Sequence, residues 1–153
     1  SIFLLKNFNY NVADFQFIEN IKWIPYLNIN YYLGVDAISV LLILLNSIIF
    51  LIVAFYNSTL TIKNQNKYYA SFLIANGLTI GVFSALDAIL FYIFFEALLI
   101  PMFLIIGIWG GSNRIYAAIK FFLYTFLGSI LLLISFIYIN STINSFSINS
   151  TRV

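Results

Sequence analysis

The sequence predicts an all-α integral membrane protein with four transmembrane helices. Of its 153 residues, 63% are apolar and only 8% are charged, and the mean hydropathy is +1.02, whereas about a quarter of the residues of a soluble domain are charged. No charged side chain occurs in 37–62, 68–86 or 121–151, and each stretch has about the length that crosses a bilayer. Together with an apolar segment at 88–109, whose only charged residue is Glu96, these stretches predict four helices that use most of the chain. This excludes a water-exposed enzyme domain, a nucleotide-binding fold and a nucleic-acid reader.

The sequence predicts three segments. Residues 1–34 form an interfacial segment rich in aromatic and polar side chains, residues 35–139 form the four-helix transmembrane domain, and residues 140–153 form a polar tail of Ser, Asn and Thr. Trp23 and the neighbouring tyrosines precede the first apolar run, as residues of the interfacial aromatic belt do. Pro25 and Gly34 interrupt any long helix in residues 1–34, and the apolar spacing there leaves helix and strand both open.

Charges and glycines indicate where the four helices begin and end. Asp36 and Asp87 lie at the predicted starts of two helices, where an acidic side chain interacts favourably with the positive end of the helix dipole. The Gly110-Gly111 pair suits the end of a helix. The four predicted helices are therefore about residues 36–56, 68–86, 87–109 and 115–139.

The basic residues predict the orientation in the membrane. The loops at one face carry Lys63, Lys67, Arg114 and Lys120 with no acid, whereas the opposite face carries three bases and four acids. Basic loops face the cytoplasmic or matrix side. We therefore expect both termini on the opposite side, which in a mitochondrion is the intermembrane space.

Glu96 is the outstanding candidate for function. It lies within about 5 Å of the middle of the third predicted helix at 1.5 Å per residue, where an acid costs about 2.5 to 3.5 kcal/mol and normally faces a bundle interior or a wet cavity. Protonation relieves this cost, so a Glu at this depth can accept and release a proton. The alternative is a permanently neutral Glu that makes one interhelical hydrogen bond.

Three further residues are weaker candidates. Pro101 cannot donate to the carbonyl group of residue 97, which leaves an acceptor beside Glu96 that can hold water. Lys120 either snorkels to the interface, as Lys near a helix end commonly does, or belongs to a proton pathway. Asp87 either caps the third predicted helix or takes part in that pathway.

The composition excludes several cofactors. The chain has no His and no Cys, so it offers no haem ligand and no zinc or iron–sulfur site. We expect no metal site, no cofactor, no catalytic residue and no redox centre on this chain. Abundant Ile, Phe, Asn, Tyr and Lys, whose codons are mostly A and T, indicate an AT-rich gene of the kind found in organelles.

Five motifs resemble one membrane family. They begin at Leu33 (LGVDAIS), Gly81 (GVFSALD), Phe94 (FFEALLIPM), Gly107 (GIWGG) and Lys120 (KFFLYT). In this order they resemble subunit 4 of the proton-pumping NADH:ubiquinone oxidoreductase, respiratory complex I, and the related cation/proton antiporter subunits. The resemblance extends from about residue 23 to residue 138.

The resemblance implies a role in proton translocation in the mitochondrial inner membrane, with Glu96 matching the family's intramembrane Glu. That family has about fourteen helices, and the four predicted here resemble its third to sixth. We therefore expect a split subunit whose antiporter-like bundle is completed by another chain. The expected partners are that chain, the other complex I membrane subunits and membrane lipids, with no nucleic acid. Two other functions stay open: a small four-helix proton-coupled exporter and a structural subunit of a respiratory complex.

Overall fold

The computed structural model describes residues 1–9, 14–24, 29–58 and 64–143. The expectations about Pro25, Lys63 and the tail beyond residue 143 concern residues outside these ranges. The structure contains five helices and two strands within them. In chain order they are α1 (Ile2–Asn7), β1 (Gln16–Ile24), β2 (Ile29–Val35), α2 (Ala37–Ser58), α3 (Gln65–Ser84), α4 (Ala88–Trp109) and α5 (Arg114–Ile143).

The four long helices lie close to the predicted positions because local signals define their ends. An Asp36 Oδ1 atom accepts a hydrogen bond from the Ser39 N–H group at 2.7 Å, as a residue preceding a helix does. Gly110 ends α4, and its N–H group donates to the Ile106 carbonyl oxygen at 3.0 Å. A Cβ atom at Gly110 would collide with that oxygen. Only α5 is clearly longer than predicted, since it continues to Ile143.

The fold is mostly helical rather than all-α, because the N-terminal segment, for which the sequence left helix and strand open, contains a two-stranded hairpin. Strand β1 pairs antiparallel with β2, with Asn20 opposite Tyr32 and Lys22 opposite Asn30. The pairing is irregular near Phe17, whose φ of 54° places it in the left-handed region. Ile, Trp and Tyr in the two strands favour extended backbone, where their side chains fit a pleated surface.

The hairpin is attached to the turn between α3 and α4. Leu33 forms an isolated bridge with Ala85, and the Leu86 N–H group donates to the Tyr32 carbonyl oxygen at 2.9 Å. A small hydrophobic core beside this turn contains Phe8, Val35, Val40 and Ile43. The hairpin therefore covers the end of the bundle at which α2 and α4 begin.

Sequential helices pack against one another, so that α3 lies between α2 and α4, and α4 lies between α3 and α5. At Gly81 the absence of a side chain lets the ring of Phe94 approach the α3 backbone. Small residues commonly allow such close approach between membrane helices.

Three of the described helices are long and apolar enough to cross a membrane: α2, α4 and α5. The fourth predicted span, α3, is not among them, because it contains Lys67, Asn66 and Asn76. The architecture is therefore mostly helical, with three candidate membrane-spanning helices, and is consistent with an antiporter-like membrane domain.

Candidate functional site

Glu96 lies near the middle of α4. It is eight residues from the helix start at Ala88, which corresponds to about 12 Å along the axis, and about 4 Å from the midpoint. Its side chain is half-buried, and its Oε2 atom is buried with no hydrogen-bond partner in the part of the chain that the structure describes. An unpaired buried carboxylate oxygen is costly. Glu96 therefore needs a proton, a water molecule or a partner outside the described residues.

The side of α4 that carries Glu96 differs from the side that packs on α3. Phe94 faces Gly81 of α3, and Glu96 is two residues further on, about 200° round the helix. At about the same depth, α5 carries Thr125 and Ser129, which line a pocket together with Phe91 and Phe95 of α4. Both hydroxyl groups donate to carbonyl oxygens of their own helix at 2.8 Å, so each retains acceptor capacity.

Pro101 lies inside α4, which continues through it to Trp109. Its ring is buried. Because Pro has no N–H group, it makes no hydrogen bond to the carbonyl group of Ala97, the residue next to Glu96. The chain thus carries a backbone acceptor without its normal helical donor one residue from the carboxylate.

Asp87 caps α4 and joins it to the hairpin. The side chain is 2% exposed, and its Oδ1 atom accepts from the N–H groups of Ile89 at 2.9 Å and Leu90 at 3.1 Å. It also accepts a backbone hydrogen bond from Asn30 of β2. Burial raises the pKa of Asp87 above its ordinary value, and the three backbone hydrogen bonds oppose this effect.

Lys120 is separated from Glu96 along the bundle. It is six residues from the start of α5 and exposed, about 9 Å from that end, whereas Glu96 is about 20 Å from the neighbouring end of α4. The Lys120 Nζ atom lies 4.5 Å from the ring centre of Tyr116, one turn closer to the helix start. The side chain therefore points toward the membrane surface and away from the depth of Glu96.

The sequence analysis missed a polar contact between α2 and α3. The Asn46 amide donates to the Asn76 Oδ1 atom at 2.7 Å. Counted from the helix ends beside the hairpin, both residues lie about 12 to 14 Å deep, close to the depth of Glu96. Asn46 inside an uncharged apolar run was a usable signal, since a polar side chain there needs an interhelical partner.

An apolar cavity lies among the four long helices, and Glu96 is not one of its lining residues. It has a volume of about 560 Å³ and is bounded by residues of α2, α3, α4 and α5, including Phe50, Phe72 and Phe121. Among the described residues, no group of three acidic side chains is placed to hold a metal ion. The geometry can hold a proton on Glu96 and offers water a polar contact at the Ala97 carbonyl.

Sequence comparison finds a family profile and individual proteins that are similar to this chain. Residues 85–152 match the profile of the family described as NADH:quinone oxidoreductase/Mrp antiporter, TM. NADH-quinone oxidoreductase subunit M of Rickettsia prowazekii is 44% identical over 151 residues, which is 98% of this chain and 30% of that protein. The chain is therefore similar in sequence to a part of this membrane subunit. Asp87, Glu96, Pro101 and Lys120 all lie in the part that matches the family profile.

Two further relatives extend the similarity. Subunit M of Rhodobacter capsulatus is 51% identical over 138 residues, covering 90% of this chain and 26% of that protein. NADH-ubiquinone oxidoreductase chain 4 of Marchantia polymorpha is 44% identical over 144 residues, covering 91% of this chain and 28% of that protein. The chain thus spans about 30% or less of the length of these relatives.

Proposed function

We propose that this chain forms part of the membrane arm of respiratory complex I and contributes to proton translocation coupled to NADH:ubiquinone electron transfer. The observation that carries the proposal is Glu96: a carboxyl group near the middle of α4, with one oxygen buried and unpaired among the described residues, inside the segment that matches the antiporter-type family profile. Its relatives are named as subunits of NADH-quinone and NADH-ubiquinone oxidoreductases.

Glu96 acts as a proton carrier in this proposal. A carboxylate at mid-membrane costs about 2.5 to 3.5 kcal/mol, so the group gains from taking a proton and releases it when a cation or water approaches. Pro101 supports this exchange, because the Ala97 carbonyl group lacks its normal helical donor and can hold a water molecule. Electron transfer itself is assigned to other subunits, since this chain has no His or Cys.

Asp87 and Lys120 have secondary places in the proposal. Asp87 is a buried cap at the end of α4, and Lys120 lies about 10 Å from the depth of Glu96 along the bundle. Proton transfer through either residue therefore needs intervening water or further side chains. Glu96 alone is assigned a proton-carrying role.

The site requires further membrane helices. Glu96 Oε2 is buried and has no hydrogen-bond partner among the described residues. We propose that helices outside this sequence complete the bundle, from a separate chain in the split-subunit arrangement, together with other complex I membrane subunits. Helix α3 crosses the membrane as the fourth span, because it packs between α2 and α4.

We place the protein in the mitochondrial inner membrane with several spans. Lys67 and Arg114 lie at the end where α3 and α5 begin, and this end faces the matrix by the positive-inside rule. The hairpin lies at the other end, so both termini face the intermembrane space.

Activity measurements on membranes from Glu96→Gln and Glu96→Asp variants test the proposal. Gln keeps the size of Glu but cannot ionise. NADH oxidation by a water-soluble artificial acceptor should be nearly unchanged in Glu96→Gln, while ubiquinone reduction should fall strongly, and Asp should retain more activity than Gln. Glu19→Gln, which removes an exposed carboxylate from β1, is the matched control and should behave like wild type.

Two results would contradict the proposal. If the tagged chain did not co-purify with complex I subunits after mild detergent extraction, membership of the complex would be wrong. If Glu96→Gln assembled normally and retained wild-type ubiquinone reduction, Glu96 would be a structural polar group in a structural subunit.

A further inference from the structure

The outward side of α5 combines one cation with a long apolar stripe. Lys120 lies near the start of the helix, and Tyr124, Leu127, Leu131 and Ile134 follow at intervals of three or four residues, which places them on one side. The apolar members are 58–68% exposed. This stripe, Lys120 to Ile134, is called the α5 stripe below.

The Lys120 side chain is oriented toward the membrane surface. Its Nζ atom lies over the ring of Tyr116, at 4.5 Å from the ring centre, so the amine is displaced toward the helix start. Two further bases, Lys67 and Arg114, lie at the same end of the bundle. A phosphate at the membrane surface would therefore meet positive charge above the apolar side chains.

The size of the side chains distinguishes the α5 stripe from the face of α5 that packs on α4. On the packed face Ala118 is 1% exposed, and its Cβ atom is 3.6 Å from the position that a Cβ atom would have at Gly107. Helix contacts in membranes favour such small residues. The α5 stripe contains none, and its large, irregular apolar surface suits flexible acyl chains.

We propose that the α5 stripe binds an anionic phospholipid. The Lys120 amine pairs with the phosphate, Tyr116 positions that amine through its ring, and the acyl chains lie along Tyr124, Leu127, Leu131 and Ile134. The order of groups along α5 matches that of a phospholipid. A cation near the surface lies opposite the phosphate, and an uncharged helix toward the membrane interior lies beside the acyl chains. This inference requires that α5 spans the membrane and does not depend on proton transfer by Glu96.

Photo-crosslinking tests the site in the native assembly, reconstituted into phosphatidylcholine vesicles. The probes are phosphatidylglycerol and phosphatidylcholine with a photoactivatable group in one acyl chain. Phosphatidylglycerol should label the α5 stripe in preference to phosphatidylcholine. Lys120→Gln should reduce phosphatidylglycerol labelling about five-fold, the effect of losing one Lys at an anionic lipid surface, and Lys120→Arg should restore it.

Two controls separate a site from general electrostatics and from misfolding. Lys22→Gln removes a positive charge from the hairpin at the other end of the bundle and should leave labelling unchanged. Phosphatidylcholine labelling should be the same in wild type and Lys120→Gln if both are folded. Equal labelling by the two lipids, equal losses in Lys22→Gln and Lys120→Gln, or crosslinking of the α5 stripe to another protein helix would each overturn the proposal.

Discussion

Replacing Gly81 by Ala tests the packing of α3 on α4. A Cβ atom at this position would lie 2.8 to 2.9 Å from three atoms of the Phe94 ring, including Cγ. Carbon atoms in contact normally lie about 3.5 to 4.0 Å apart, so the new atom is about 1 Å too close. Because Cγ is among the crowded atoms, rotation of the ring about its own axis cannot remove the clash, and Phe94 or the helix must move.

The expected cost is about 1 to 3 kcal/mol, the usual range for overfilling a packed site. Ala also favours a helix over Gly by about 0.8 to 1 kcal/mol, which partly offsets that cost. Gly77 is the matched control, since it lies one turn earlier in α3 with nothing within 4 Å of the added Cβ atom. The difference in unfolding free energy between Gly81→Ala and Gly77→Ala cancels the helix preference and should equal the packing cost.

Unfolding by dodecyl sulfate in mixed phospholipid–detergent micelles, followed by circular dichroism, measures this difference. Gly77→Ala should be neutral or slightly stabilising, and Gly81→Ala should be less stable than Gly77→Ala by about 1 to 3 kcal/mol. A smaller side chain at position 94, Phe94→Leu, should recover part of the loss in the Gly81→Ala background. Equal stability of the two Gly variants would refute the described contact between α3 and α4.

Three other predictions concern the cap, the topology and the partners. Burial raises the pKa of Asp87 above its ordinary value of 3.8, so the folded state binds the proton more tightly than the unfolded state. The free energy of unfolding should therefore fall as the pH rises from 3.8 to the raised pKa of the folded state. Asp87→Asn keeps the capping acceptor and should flatten this pH dependence in unfolding titrations; an unchanged slope would refute the assignment to Asp87. Cys at Asn113 should react with an impermeant maleimide only from the matrix side and Cys at Asn20 only from the opposite side, whereas labelling of both from one side would contradict the topology. The chain purified alone should melt at a lower temperature than in its native assembly, and equal thermal stability would argue against bundle completion by other helices.

Helix positions were predictable because the chain marks them with charges and glycines. Asp36 and Asp87 precede α2 and α4, and Gly110 ends α4. Such signals are local in sequence. They give helix bounds without knowledge of the neighbouring helices.

The hairpin could not be predicted because a two-stranded sheet is marginal without support. Its support comes from the turn between α3 and α4, through the contacts of Leu33 with Ala85 and of Tyr32 with Leu86. These partners are more than fifty residues away in sequence. The local spacing of apolar residues was compatible with both helix and strand, and the distant contacts that stabilise the strands are not visible in the local sequence.

The candidate site was predictable in one respect and not in another. Glu96 is conspicuous in sequence because an acid inside an apolar helix is rare. The direction of the Lys120 side chain depends on the Tyr116 ring, and the contact between Asn46 and Asn76 depends on the packing of α2 on α3. The sequence signals that Asn46 needs a partner, but neither the identity of that partner nor the direction of the Lys120 side chain can be read from composition or hydropathy.

Proton pumping by the assembled complex with Glu96→Gln is the most direct test of the proposed proton carrier. Complex containing wild type, Glu96→Gln or the control Glu19→Gln is reconstituted into sealed vesicles, and acidification of the lumen is followed by quenching of a pH-sensitive dye during NADH-driven ubiquinone reduction. With equal amounts of assembled complex, Glu96→Gln should lose acidification together with ubiquinone reduction, and Glu19→Gln should match wild type. Acidification by Glu96→Gln with the wild-type number of protons per NADH would contradict the central claim that Glu96 carries protons.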